Sequence, residues 1–208
     1  MDLLTILISV VVLVYSAILH EVAHGYIAEQ LGDPTARLAG RLTLNPLKHI
    51  DPFLSVLLPL LLIVSGSPII FGGAKPVPVD PYNLRDGRKD MALVSLAGPG
   101  TNIVLALIAA ILLHIFFVAA LPFISTILGI IIQYNVLLAI FNLLPIPPLD
   151  GSKIFSLLLP EREANIFLSL GQFGMFLLLI LLVFPIGTFS LEGIITHLYQ
   201  LSLHLLGV

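Results

Sequence analysis

His20-Glu21-Val22-Ala23-His24 is the segment whose residue types and spacing point most directly to chemistry. On a helix, positions i and i+4 lie one turn apart on the same face, so two imidazoles can grip one zinc ion. Glu21 is turned by about 100° from His20 and stands beside such an ion, where it can act as general base on the ion's water. A carboxylate in an apolar helix costs at least ~2.5 kcal/mol to insert into lipid, so its presence there points to function.

Two histidines do not complete a catalytic zinc site, which needs a third protein ligand and one open position. The chain has no cysteine, which excludes thiolate ligands and disulfides. Asp150, in Asn142-Leu-Leu-Pro-Ile-Pro-Pro-Leu-Asp150-Gly151, is the leading candidate for one zinc ion per chain. It follows an apolar helix on backbone that three prolines and a glycine force out of regular structure. Irregular backbone at membrane depth is tolerated only where protein or a water-filled cavity surrounds it. The competing reading makes Asp150 the N-cap of a helix starting near Ser152.

The elements that must position these residues are membrane helices. Of 208 residues, 58% are hydrophobic and only 10% charged, against roughly 45–50% and 25% in globular proteins. A formal charge of −3 gives no basic footprint, so nucleic acid is not an expected partner; the lipid bilayer is. The pattern predicts helices over 3–30, 91–119, 123–144, 166–184 and 191–206, all within a single domain, 1–208. The catalytic core covers about 3–155, and additional helices cover about 164–206. Residues 53–64 are a short apolar run broken by Pro59 and followed by Ser-Gly-Ser-Pro, below the ~20 residues that a crossing needs. The fold class is therefore an all-α polytopic membrane protein with about five spanning helices, a re-entrant segment within 53–73 and a short extended Pro-rich stretch at 75–80. The alternative has six crossings.

Charge and chemistry both favour five. With five crossings all nine Lys and Arg fall on one side; with six they divide six to three. The positive-inside rule then sets the N-terminus outside and the basic loops in the cytoplasm. Moreover, His20–His24 and Asp150 both lie towards C-terminal helix ends. They can share one ion only if their helices run parallel, as they do with a single crossing between them.

HEVAH in a first membrane helix and NLLPIPPLDG after a later one, with NPLKHIDP and GGAKPVPVDP between them, resemble the site-2 protease family of intramembrane zinc metalloproteases. The likeness is to its compact prokaryotic branch without a PDZ or CBS domain. It implies zinc on His20, His24 and Asp150, Glu21 as base, and Asn142 helping to hold the substrate or transition state. It further implies an integral protein of a prokaryotic cell membrane. Its reaction would be regulated intramembrane proteolysis: hydrolysis of a peptide bond in or near a transmembrane segment of a membrane-protein substrate.

Two more candidates for substrate binding come from the residues themselves. In Lys75–Asp80, Pro76 and Pro78 lack N–H groups, so Val77 and Val79 would offer the donors of a single edge to an unwound substrate; a purely structural Pro-rich turn is the other reading. Asn102 either faces the site or hydrogen-bonds a neighbouring helix. The glycines at 98, 100, 171 and 174 are read as close helix packing. A membrane metal transporter would also use intramembrane His and Asp, but it has no need of Glu21, and no second copy of either motif is found. A catalytically silent zinc-containing binder is a further alternative. Oligomeric state is not legible.

Overall fold

The computed structural model describes residues 2–52, 74–115, 121–183 and 190–208, with isolated positions 57, 61 and 64. The expected re-entrant segment, 53–73, lies almost wholly outside the described residues. Among the described residues every regular element is helical.

α1 runs Leu3–Gln30, capped by Asp2, whose carboxylate accepts the Thr5 N–H at 2.7 Å. It stops at Gly32, where φ is +113°, a conformation that favours glycine. The one-turn α2 (Thr35–Leu38) follows. α3 covers Gly87–Ile115 and α4 covers Pro122–Leu143, with Pro122 in the first turn of α4. The start of α3 precedes the expected one because the charged stretch forms its first turn. There the Asp86 N–H donates to the Asp90 carboxylate at 2.8 Å, which satisfies a donor at the helix start. α1, α3 and α4 are each long and apolar enough to cross a membrane.

Their surfaces are inverted relative to a water-soluble bundle. α1 buries Ser9, Ser16, His20, His24, Gly25 and Ala28, while Leu3, Leu7, Val10 and Val11 are exposed. α3 buries Ser95, Gly98, Asn102, Ala106, Ala109 and Ala110, and exposes Leu96, Ile103, Val104 and Ile108. Small residues let the helix backbones approach and polar ones bond across them, as expected when the surrounding solvent is hydrocarbon. The chain is an integral membrane protein.

Cross-helix pairs fix directions. Ser16 meets Asn102 and Asn135, and His24 meets Val94. Position therefore advances along α1 as it recedes along α3, and these two pack antiparallel. α3 and α4 join through Ala106, Ala109 and Ala110 against Leu128, Ile132 and Val136. α1 and α4 run parallel, the arrangement that a shared ion demands.

After α4 come the short α5 (Asp150–Phe155), α6 (Glu161–Ser169), α7 (Gly171–Val183) and α8 (Leu191–Leu206). The single helix expected over 166–184 is thus broken at Leu170. The break lets α7 lie against the Pro147–Pro148 turn: a Cβ on Gly174 would stand 2.0 Å from the Pro147 carbonyl oxygen. α8 starts beside Leu144 and Leu149 and ends with Gly207 against His114, so it runs antiparallel to α4. Alternating crossings by both 166–184 and 191–206 would have made α8 parallel to α4.

A candidate metal centre

The carboxylate and the imidazoles come from opposite ends of the sequence. His20 and His24 lie one turn apart on the buried face of α1. Asp150 opens α5, where the chain has doubled back over the end of α4. Gly151 permits this, because a Cβ there would lie 2.1 Å from the Leu143 carbonyl oxygen. The Asp150 side chain caps no helix N–H and instead points to the histidines.

His20 Nε2 stands 3.0 Å from His24 Nε2, and Asp150 Oδ2 stands 3.2 and 3.1 Å from them. All three residues are buried. Their protonation follows from what lies behind them. His24 Nδ1 donates to the Val94 carbonyl at 2.7 Å. His20 Nδ1 donates to Asn102 Oδ1 at 2.6 Å. With the proton on Nδ1, a neutral ring presents its Nε2 lone pair. Two such lone pairs and a carboxylate oxygen form a donor set that suits a cation. A tetrahedral zinc ion with bonds of 2.0–2.1 Å separates its ligands by about 3.3 Å, close to the spacing found. The residues fit the ion.

Gly98 of α3 faces the same point. A Cβ on it would lie 2.5 Å from the Nε2 atoms of both His20 and His24. The missing side chain keeps the space beside both Nε2 atoms clear. Asp150 keeps its second oxygen, Oδ1, on Lys153 Nζ at 3.2 Å.

Glu21 takes the Val77 N–H on Oε2 at 2.7 Å. The segment carrying Val77 is tied down on both sides: Lys75 N–H to the His49 carbonyl at 2.8 Å, Arg41 to the Lys75 carbonyl at 2.7 Å, and Asp80 N–H to Asp33 at 2.7 Å. Among the described residues the Val79 N–H has no partner. The segment adopts neither helix nor strand.

Asn102 lies behind His20, fully buried, with its Nδ2 donating to Asn135 Oδ1 at 2.8 Å. Asn142 donates from Nδ2 to the Leu138 carbonyl of its own helix at 2.9 Å and is not part of the metal group. Reasoning from sequence missed Asn135, Ser16 and Lys153. Asn135 carried a usable signal, a lone buried carboxamide in an otherwise apolar helix.

Residues 118–183 match the model of peptidase family M50. The chain is 40% identical to "Putative zinc metalloprotease YwhC" of Bacillus subtilis, over 88% of this chain and 83% of that protein. It is 32% identical to "Putative zinc metalloprotease Rip2" of Mycobacterium tuberculosis, over 90% of this chain and 71% of that one. A third relative, "Putative zinc metalloprotease MJ0611" of Methanocaldococcus jannaschii, is 38% identical over 41% of this chain and 45% of its own. No solved structure matches. Inverted helix surfaces, a buried trio of acceptors beside a glutamate and relatives named for zinc lead to one assignment: the chain belongs to peptidase family M50, the site-2 protease family of zinc metalloproteases.

Proposed function

We propose that the chain is an intramembrane zinc endopeptidase that hydrolyses a peptide bond in or near a transmembrane segment of another membrane protein. The observation that carries this reading is the trio His20, His24 and Asp150, whose ligand atoms lie within 3.0–3.2 Å of one another in a bundle with an apolar outer surface. On this reading these three hold zinc and Glu21 is the base. Zinc bound there supplies Lewis-acid charge, which polarises a carbonyl and acidifies water.

The chain's own residues do the rest. Glu21 accepts the proton of the attacking water and delivers it to the departing amine. Its Oε2 is fixed by the Val77 amide, while Oε1 accepts no hydrogen bond among the described residues and is free for that proton. Lys153 on Asp150 Oδ1 supports coordination through Oδ2 alone. Asn142 Oδ1 is also unengaged among the described residues, which suits contact with a substrate amide. Because the Val77 N–H is committed to Glu21, the edge offered to a substrate strand narrows to Val79. A Val79→Pro enzyme that folds and cleaves normally would remove that edge from the mechanism.

Antiparallel α1 and α3 support placing the end of α1 and the start of α3 on one side of the membrane. All nine Lys and Arg then lie at the metal end of the bundle, which supports a cytoplasmic location for that end and an outside N-terminus.

Co-expression with single-pass membrane substrates tests the reading. Glu21→Gln should keep zinc and lose cleavage, and Asp150→Asn should lower zinc occupancy. Equal cleavage by wild type and Glu21→Gln would sink the mechanism.

A further inference from the structure

Behind His20 runs a line of amides that the hydrolytic steps never touch. Asn135 of α4 and Asn102 of α3 are both fully buried. Asn135 Nδ2 donates to the Ile131 carbonyl at 2.8 Å and to Ser16 Oγ at 2.9 Å. A backbone carbonyl can only accept, so the Asn135 carboxamide has one permitted orientation, with its oxygen towards Asn102. That oxygen takes the Asn102 Nδ2 proton at 2.8 Å, and the same nitrogen lies 3.4 Å from the Ser16 carbonyl. With its nitrogen committed, Asn102 turns its oxygen to His20 Nδ1 at 2.6 Å. Nδ1 must then carry the ring proton, and Nε2 faces the metal point with a lone pair.

We infer that Asn135 is a positioning residue that sets the tautomer of His20 through Asn102, and thereby the zinc affinity of the centre, without approaching the ion. Asn102 alone does not suffice. A carboxamide free to flip would offer its NH₂ to Nδ1 and favour the tautomer with the proton on Nε2, where it opposes the metal. Asn135 opposes that flip at 2.8 Å, more firmly than the Ser16 carbonyl can at 3.4 Å. The relay rests on the reading of His20 as a ligand and adds to it the residue that orients it.

The test uses the full chain in detergent, with zinc affinity measured by chelator competition and the visible spectrum recorded after cobalt substitution. Asn135→Leu keeps the branched shape and removes the acceptor; it should weaken zinc ten- to hundredfold, as removal of outer partners of metal ligands does, and shift the cobalt bands. Asn135→Asp should restore both. In this dry position the introduced carboxyl stays protonated, so it can donate to Ile131 and accept from Asn102. A purely structural role for Asn135 would lower melting temperature and leave affinity and spectrum alone. Wild-type affinity and spectrum in Asn135→Leu overturn the relay, as does an Asn135→Asp protein as weak as the Leu variant. If Asn135→Leu does not accumulate, Asn135→Ala takes its place with the same outcomes. His20→Ala serves as the reference. If it keeps its zinc, the ligand reading fails and the relay with it; if it loses zinc while Asn135→Leu does not, the relay alone fails.

Discussion

Gly98 and Gly100 sit two residues apart in α3, and the space around them separates their roles. A methyl on Gly98 would stand 2.5 Å from both Nε2 atoms, whereas one on Gly100 meets nothing within 4 Å. Gly98→Ala should therefore lose most of its zinc, read by metal analysis of the purified protein. Gly100→Ala should retain it and gain up to about 1 kcal/mol of helix stability from alanine. Nothing in the sequence around Ala97-Gly98-Pro99-Gly100 separates the two, because the difference arises from α1 lying across one and not the other. The same reason limits what could be read of the centre. His20, Glu21 and His24 were legible because helical spacing alone makes them neighbours, and Asp150 because it stands on broken backbone. The groups behind them, Val94, Asn102 and Asn135, become neighbours only when three helices pack, and no spacing within one helix encodes that.

At the level of elements, turns decide what the helices can bring together. Gly174 in α7 would collide with the Pro147 carbonyl if it bore a side chain, while Gly129 in α4 has open space. Gly174→Ala should cost about 1–3 kcal/mol through overpacking, and Gly129→Ala should be neutral or stabilising, both followed by melting temperature in detergent. Asp33 ties the end of α1 to the loop before α3. Burial opposes its ionisation, but hydrogen bonds from Thr35, Asn83 and the Asp80 N–H outweigh that and hold its carboxyl below the usual range. A depressed folded pKa gives stability that is complete above about pH 4 and is lost as pH falls through the folded value. Asp33→Asn should cost about 1–3 kcal/mol at pH 7, with the gap to wild type closing in strong acid. Helix positions were legible where apolar runs were long, as in α1 and α4. The break at Leu170 was not, since 166–184 reads as one apolar run and its interruption answers to the Pro147–Pro148 turn.

For the whole molecule, the lipid environment was legible in the composition, but the direction of the last helix was not. α8 packs antiparallel to α4 and ends beside His114, at the end of the bundle remote from the metal group. A reporter fused after Val208 should consequently appear on the side opposite one inserted near Asp86; strictly alternating five crossings would give the same side for both. The segment over Glu21 bears on how such a molecule tolerates change. Its hold on the carboxylate is a main-chain N–H, a group that every residue except proline carries. Nineteen of the twenty amino acids at position 77 leave that donor intact, so neutral drift can rewrite the loop while the base stays aimed. An alanine scan across 74–80 would pass over this contact in silence, and a proline scan would find it.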